Sequence, residues 1–186
     1  MVIEFLADGF EETEALCPLD MLRRAGITTV TAAVGQRSPD DLVVTGAHGI
    51  SVIADTAACN LDYDGLKPEM ILLPGGMPGA DNLDNDETVD FFVKKAAGDG
   101  AYIAAICAAP IIPGKRGLLD GKRAVCYPGY EKQLTGAVFT GTRVEVDGNM
   151  ITSCGMGASL EFAHALITLL KGEDMADRLM SAVLAK

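Results

Sequence analysis

Short apolar runs alternate with amphipathic stretches through the first half of the chain. Each run is bounded by glycine, proline or polar residues, which is typical of buried strands. The runs are Val2–Leu6, Thr28–Val34, Leu42–Thr45, Ile50–Ile53, Met70–Pro74 and Tyr102–Ile106. Apolar residues at helical spacing predict one helix from Thr13 to Ala25, ended by Gly26, and another from Asp86 to Ala97.

The second half continues this alternation with less regular elements. We predict, in chain order, an interrupted helix at Ala108–Leu119, a strand at Arg123–Cys126, a helix start at Tyr127–Leu134, a hairpin turning at Asp147–Gly148, and helices at Ala158–Leu170 and Glu173–Leu184. Strands that alternate with helices indicate a mostly parallel sheet covered on both faces. We therefore expect an α/β fold, a three-layer α/β/α sandwich, in a single domain of residues 1–186.

Length and charge narrow the possible function classes. The chain of 186 residues is long enough for one domain with a sizeable core. Its net charge of −11 repels phosphate backbones, so we expect no nucleic-acid partner. No apolar run reaches the roughly 18 residues of a membrane span, and no signal-like segment opens the sequence. We expect a cytoplasmic protein with no membrane partner.

The cysteines and histidines give no metal-binding pattern. Five cysteines, an odd number without CxxC spacing, indicate reduced thiols in a chain of this size. His48 and His164 do not lie at ligand-like spacing from them. We expect neither a metal ion nor another cofactor.

Cys107 ends the apolar run AYIAAIC, where a strand gives way to a helix-compatible segment. Backbone N–H groups and the helix dipole at such a junction would stabilise a thiolate, which makes Cys107 a candidate nucleophile. The alternative is an inert core thiol, because cysteine is among the most buried residue types. This stretch by itself leaves both interpretations open.

Two other strand ends carry polar or flexible residues. In parallel α/β sheets, ligands bind beyond the carboxyl ends of the strands. Glu11 and Glu12 follow the first strand and are interpreted as acids that complement a helix N-terminus. Glu14 lies a turn further on and is placed to reach inward, where a protonated carboxyl group would donate a hydrogen bond to a thiolate. Gly75 and Gly76 follow the strand MILLP and offer either N–H groups to an oxyanion or an ordinary turn.

Four separated motifs together resemble a known family. ADGFEETEAL, LLPGGMPGADNL, AAICAAP and ITSCGMGASLEFA are similar to segments of the ThiJ/PfpI family, in the class I glutamine amidotransferase-like superfamily and the branch of the Parkinsonism-associated deglycase. The resemblance runs in register from Val2 to about Ala182. It implies a flavodoxin-like sandwich and a homodimer with the active site close to the dimer interface.

The resemblance assigns roles to individual positions. Cys107 matches the nucleophilic, oxidation-sensitive cysteine of the family, and Glu14 matches the acid that hydrogen-bonds its sulfur. Gly75, Gly76 and the backbone of Ala108 match the oxyanion-hole segment. These assignments agree with the roles argued from the residues themselves.

The chain also departs from the family pattern. Tyr127 stands where the family has a catalytic histidine, and tyrosine is a poor general base near neutral pH. His48 and Cys154 stand where the deglycase branch has arginines that line the pocket. His48 is either the missing imidazole or an exposed loop residue. Cys126 and Cys154 are either resolving thiols for Cys107 or packed structural thiols.

Two function hypotheses of different classes follow. The first is an enzyme similar to glyoxalase III or a protein deglycase, which attacks a small reactive aldehyde or a glycated substrate through Cys107, assisted by Glu14 and Tyr127. The second is a non-catalytic oxidative-stress sensor or chaperone in which Cys107 is oxidised to sulfinate. Peptidase activity ranks last, because Ala108 stands where that branch has a histidine.

Overall fold

The computed structural model describes residues 1–35, 38 and 40–185. The strands are β1 (Val2–Leu6), β2 (Thr29–Ala33), β3 (Val43–Thr45), β4 (Ser51–Ile53), β5 (Thr56–Ala57), β6 (Met70–Leu73), β7 (Tyr102–Ile106), β8 (Arg123–Ala124), β9 (Val138–Phe139), β10 (Val144–Asp147) and β11 (Met150–Ser153). The helices are α1 (Glu12–Arg24), α2 (Tyr63–Leu66), α3 (Gly79–Asp84), α4 (Glu87–Asp99), α5 (Ile111–Lys115), α6 (Ser159–Lys171) and α7 (Glu173–Ala182).

Seven strands form the central sheet in the order β10-β11-β7-β6-β1-β2-β5. All neighbouring pairs in it are parallel except β10 and β11, which form the predicted hairpin with Asp147 opposite Met150. The chain runs outward from β1 to β2 and β5, then returns to place β6 on the other side of β1. The direction of winding therefore reverses between β1 and β6, which is where open α/β sheets bind ligands.

Helices cover both faces of the sheet, as predicted. Ile3 and Phe5 of β1 pack on one face with Phe92 of α4, whose ring centroid lies 5.4 Å from that of Phe5. Val2 packs on the other face with Leu22 of α1, in a cluster that α6 and α7 complete. Alternation of side chains along β1 thus builds two apolar layers and confirms the α/β/α sandwich.

Two predicted helices after β7 are wrong in extent. The predicted helix Ala108–Leu119 is reduced to α5, because a turn separates Cys107 from the helix start and Pro113 lacks the N–H that a longer helix needs. The segment Tyr127–Leu134 contains only a short 3-10 turn at Glu131–Gln133, because Pro128 and Gly129 bend the chain before it. The short elements β5, β9, α2 and α3 were not predicted.

The lengths of the helices decide whether one of them could span a membrane. Within the described ranges, none of the helices combines the length and the apolar character that crossing a bilayer requires.

Candidate active site

Three strand ends meet at the reversal point and bring Glu14, Gly75 and Cys107 together. The N–H of Gly75, after β6, donates to Glu14 Oε2 at 3.1 Å. A β-carbon at Gly75 would lie 2.5 Å from that oxygen and 2.7 Å from the β-carbon of Cys107, which follows β7. Only glycine leaves room here for both side chains. The structure thus brings together three residues that the sequence analysis named as candidates, and their roles stay a prediction.

The backbone of Cys107 holds an uncommon conformation. Its φ angle is 65°, in the left-handed region that costs a residue with a side chain about 1 to 3 kcal/mol. Two hydrogen bonds fix it: the Cys107 N–H donates to the Ser153 carbonyl at 2.8 Å, and the Tyr127 N–H donates to the Cys107 carbonyl at 2.8 Å. This turn presents the sulfur beyond the strand end, as in the sharp strand-to-helix turns that expose nucleophiles in other folds.

Glu14 reaches the sulfur from the first turn of α1. Glu11 caps this helix, because its carboxylate accepts the Glu14 N–H at 2.7 Å. The Glu14 side chain is buried and lies next to the Cys107 side chain at Gly75, and its interaction with the thiol lowers the pKa of the carboxyl group. Its carboxylate accepts a hydrogen bond from the Gly75 N–H, and the backbone of Met156 also lowers its pKa. The structure thus confirms that Glu14 points inward and that Glu11 serves the helix start.

Burial sets the protonation of the pair. Burial raises the pKa of Glu14 to about 7, with a further contribution from the charge of Glu11, while hydrogen bonds from Cys107, Gly75 and Met156 act in the opposite direction. Burial and the Glu14 carboxylate raise the pKa of the Cys107 thiol. Because two adjacent negative charges repel each other, the pair loses one proton far more easily than two. The pair therefore carries at most one negative charge near neutral pH.

Backbone N–H groups surround the sulfur. Those of Gly76 and Ala108 lower the pKa of the Cys107 thiol, against the larger effect of burial. They are the groups available to an oxyanion formed next to the sulfur. The Gly75 N–H is instead engaged by Glu14, so Gly75 contributes space and a carboxylate contact in this state.

Tyr127 lies beside the pair with half of its surface exposed. A β-carbon at Gly155 would lie 3.3 Å from Cδ2 of the Tyr127 ring and 3.8 Å from Glu14 Oε1. Gly155 therefore separates the ring from the buried carboxyl group, and the ring covers one side of the site. The role of Tyr127 in proton transfer stays a prediction.

His48 contacts the carboxylate of Glu12 and not that of Glu14, which lies at the Cys107 sulfur. Its Nδ1 lies 2.7 Å from Glu12 Oε2, and its backbone N–H donates to Glu12 Oε1 at 2.7 Å. Burial would raise the pKa of Glu12, but hydrogen bonds from the side chain and backbone of His48 and from the Ile50 N–H lower it to about 2. The hydrogen bond to Glu12 raises the pKa of the exposed imidazole of His48. Glu12 therefore ties the loop between β3 and β4 to α1, beyond its expected role at the helix start.

The remaining thiols differ in their surroundings. Cys126 is buried, and burial, with the charge of Glu131, raises the pKa of its thiol to about 12. Cys154 is half-buried and follows Ser153, and its N–H donates to the Arg143 carbonyl at 3.0 Å. The resolving role of either thiol stays a prediction.

Glu11, Glu12 and His48 bring one ligand atom each within 4.8 Å of one another, the spacing that a metal ion needs. Both Glu12 oxygens already accept hydrogen bonds from the loop, and Glu11 caps α1. The existing hydrogen bonds therefore account for this grouping.

Sequence reasoning missed the main-chain groups of Ser153 and Met156. Ser153 positions Cys107 through its carbonyl, and the backbone of Met156 lowers the pKa of Glu14. The run Gly155–Met156–Gly157, which follows β11 after one intervening residue, was the available signal. Main-chain donors leave no residue-type signature, so only the fold reveals them.

Comparison with known proteins agrees with this arrangement. The sequence profile of the DJ-1/PfpI family matches residues 1–169. The chain belongs to the DJ-1/PfpI family. Protein DJ-1 homolog B of Arabidopsis thaliana is 38% identical over 173 residues, which cover 92% of this chain and 38% of that protein, so the chain spans less than half of its length.

Two further relatives are similar over nearly their whole length. A deglycase of Pyrococcus abyssi is 30% identical over 172 residues, covering 91% of this chain and 99% of that protein. The solved structure of oxidized DJ-1 from Toxoplasma gondii is similar with a TM-score of 0.91 at 33% identity, covering 98% of this chain and 97% of that chain. These similarities confirm the predicted DJ-1-like, flavodoxin-like fold.

Proposed function

We propose that this DJ-1/PfpI protein is a cysteine-dependent stress-response enzyme that acts on reactive carbonyl compounds such as methylglyoxal. The observation that carries the proposal is the packing of the buried Glu14 carboxyl group and the Cys107 side chain against Gly75, with the N–H groups of Gly76 and Ala108 close to the same sulfur. A nucleophile, a proton carrier and oxyanion donors are the three parts that carbonyl addition needs.

The proposed reaction starts with the proton shared by the pair. The Cys107 thiolate adds to the aldehyde carbon, and Glu14 protonates the resulting oxyanion to give a hemithioacetal. The Glu14 carboxylate then removes the hydrogen on that carbon as a proton and returns a proton to the adjacent carbon. This transfer leaves a thioester, which water hydrolyses to a hydroxy acid and free Cys107. No external oxidant or reductant is consumed.

Relatives support this substrate class. The Pyrococcus abyssi protein is named a deglycase and is similar over almost its entire length. A deglycase acts on a glycated substrate, which is itself formed from a reactive aldehyde. The same site would bind a small aldehyde or a glycated thiol or amine, since each presents a carbonyl-derived carbon to the sulfur.

The first test measures iodoacetamide alkylation of each cysteine against pH by peptide mass spectrometry. Cys107 should react faster than the exposed Cys59, with a rate that rises through a transition near pH 7, because burial raises the pKa of Glu14 to about 7 and the pair releases its first proton there. Glu14→Gln should remove this transition. A Cys107 no faster than Cys59, or the same profile in both proteins, would contradict the proposal.

The second test measures turnover of methylglyoxal. Cys107→Ser and Glu14→Gln should each abolish conversion to the hydroxy acid, whereas Cys59→Ser should leave it unchanged because Cys59 is an exposed thiol after β5. Tyr127→Phe should lower the rate about 100-fold if the hydroxyl donates a proton, at the lower end of the usual range for acid catalysis. Full activity of Cys107→Ser would refute the mechanism.

The same hydrogen-bond donors around Cys107 also favour a second function, that of an oxidative-stress sensor. A protonated Glu14 and the N–H groups of Gly76 and Ala108 would stabilise a sulfinate at Cys107. The Toxoplasma gondii relative was solved in an oxidized form. Two molecules of hydrogen peroxide convert the thiol to sulfinic acid with release of two water molecules. A sensor should show no turnover, yet mild peroxide should add two oxygen atoms to Cys107 before any other cysteine.

We also propose that the protein forms a homodimer. An apolar groove of about 550 Å³ lies along α1, which also carries Glu14, with Leu16, Met21, Ile50, Leu160 and Val183 among its lining residues. A second copy on this face would lie close to the entrance of the Cys107 site.

A further inference from the structure

Glu4 is a carboxyl group that the proposed reaction does not use. It lies in the middle of β1, between Thr31 of β2 and Leu72 of β6, and its exposed fraction is 0%. Within the described ranges, neither oxygen of Glu4 has a hydrogen-bond partner in the protein. A buried carboxylate without partners is among the most costly groups in a protein interior, whereas a neutral carboxylic acid is far less so.

Strand alternation places Glu4 beneath α1. Ile3 and Phe5 belong to the apolar layer that contains α4, so Glu4 shares the opposite face with Val2 and Leu6. Val2 packs with Leu22 of α1, and Leu6 packs with Ala15 of the same helix. Glu4 therefore lies between β1 and the helix that carries Glu14.

The groups that could stabilise a charge on Glu4 are engaged by Asp55. Arg23 of α1 donates to Asp55 Oδ2 at 2.7 Å and to the Thr29 carbonyl at 3.2 Å. The Thr31 hydroxyl donates to Asp55 Oδ2 at 2.8 Å and accepts the Asp55 N–H at 2.9 Å. Arg23 and Asp55 are the charged groups whose fields reach Glu4, with opposite signs. Their mutual pairing leaves Glu4 without a counter-charge of its own.

We propose that Glu4 is a buried proton-binding site: it keeps its proton through the neutral range because Asp55 engages Arg23 and Thr31, and loss of this proton loosens α1 from β1. Since α1 carries Glu14, alkaline pH would disturb the Cys107 site through the sheet beneath it. This inference concerns the packing of α1 and does not depend on the proposed carbonyl chemistry.

The direction in which stability changes with pH follows from the pKa of Glu4 in the folded and the unfolded protein. Burial raises the pKa of Glu4 well above its ordinary value of 4.5, while Arg23 opposes and Asp55 adds to the shift. The folded protein then binds the proton more tightly than the unfolded chain does. The protonated Glu4 therefore contributes its full share of stability below pH 4.5. This contribution declines as the pH rises toward the pKa of Glu4 in the folded protein, and the folding equilibrium constant falls about tenfold for each pH unit in between.

The experiment compares denaturation midpoints of the wild type, Glu4→Gln and Glu4→Leu between about pH 7 and pH 9, a range in which ordinary carboxyl groups stay ionised. The wild-type midpoint should fall with rising pH more steeply than that of either variant. Glu173→Gln, which changes an exposed glutamate on α7, should keep the wild-type slope. Asp55→Ala should make the denaturation midpoint of the otherwise wild-type protein less dependent on pH. In the Glu4→Gln background the same substitution should not change the pH dependence further.

Two measurements on the wild type need no variant. Hydrogen exchange of the α1 amides should accelerate with pH more than base catalysis alone explains. The infrared spectrum at about pH 8.5 should contain the carbonyl band of a protonated carboxylic acid, because ordinary carboxyl groups are ionised there. Absence of this band, or equal slopes in the wild type and both Glu4 variants, would overturn the proposal.

Discussion

Gly75 sets the geometry of the candidate site. It has no side chain, and this allows the Glu14 carboxyl group and the Cys107 side chain to meet above the end of β6. Cys107 reaches that position through a φ angle of 65° that Ser153 and Tyr127 hold in place by main-chain hydrogen bonds. The strained backbone of Cys107 and the missing side chain of Gly75 thus act together to bring the thiol next to the Glu14 carboxyl group.

Gly75→Ala should separate the pair. The new β-carbon would lie 2.5 Å from Glu14 Oε2 and 2.7 Å from the Cys107 β-carbon, so one of the two side chains has to move. We expect the alkylation rate of Cys107 near pH 7 to change at least tenfold and stability to fall by about 1 to 3 kcal/mol. Alkylation kinetics and urea denaturation measure the two effects.

Gly98→Ala is the matched control. A β-carbon at Gly98, in α4, meets nothing within 4 Å, so this variant should keep wild-type reactivity and gain about 0.5 to 1 kcal/mol from helix propensity. Unchanged reactivity in Gly75→Ala would show that the pair does not depend on this space.

Residue-level prediction from the sequence succeeded for side chains and failed for main-chain groups. Cys107 and Glu14 were found because a thiol and an acid stood at the ends of strands that a parallel sheet brings together. The contributions of Ser153 and Met156 are carbonyl and N–H groups that every residue type offers. Their positions depend on the path of the chain after β11, which no periodicity describes.

At the level of elements, Glu12 joins the β3–β4 hairpin to α1. Its buried carboxylate accepts the His48 N–H and the Ile50 N–H through Oε1, at 2.7 Å and 3.4 Å, and a β-carbon at Gly46 would lie 2.4 Å from that oxygen. Hydrogen bonds to a charged acceptor are about twice as strong as neutral ones. The hairpin thus depends on one charge at the start of α1.

Glu12→Gln should therefore loosen the hairpin. We expect a loss of about 1 to 3 kcal/mol and faster hydrogen exchange at Val44 and Val52. Because the folded pKa of Glu12 is about 2, below its ordinary 4.5, its stabilising contribution is present above pH 4.5 and is lost as pH falls toward 2. The variant should lose less stability than the wild type over that acid range.

Glu87→Gln makes the same change at the first position of α4, where the glutamate is exposed. It should alter stability by less than about 0.5 kcal/mol. An equal effect of the two substitutions would mean that Glu12 acts only through the helix N-terminus.

Elements with strong patterning were predicted well, and weakly patterned ones were not. β1 and β7 match their predicted bounds because continuous apolar runs between polar residues define buried strands. The segment after Cys107 contains Pro110, Pro113 and Gly114, and there helical composition misled the prediction. A tertiary contact determines the conformation of this segment. A β-carbon at Gly114 would lie 2.6 Å from the Gln133 carbonyl oxygen, so the backbone is closely packed there against a distant part of the chain.

At the level of the whole molecule, the apolar groove on α1 is the surface on which we propose dimerisation. Ile50 and Leu160 are exposed on it, while Asp20 and Arg24 form an ion pair of 2.7 Å at its border. Apolar residues rimmed by charged ones are typical of interfaces between proteins. The net charge of −11 on each copy opposes association at long range, so added salt should strengthen the dimer.

Leu16→Glu tests this assembly because it places a charge in the middle of the groove. We expect association at least about 100-fold weaker, about 2.8 kcal/mol, measured by sedimentation equilibrium of the 19.4 kDa chain. Val138→Glu changes an equally apolar residue exposed on β9, away from α1, and should leave the dimer intact. A monomeric wild type, or a Leu16→Glu protein that still dimerises, would rule out this face. If a second copy shields the Cys107 site, alkylation of Cys107 should also be faster in Leu16→Glu than in Val138→Glu, since only the former exposes the site.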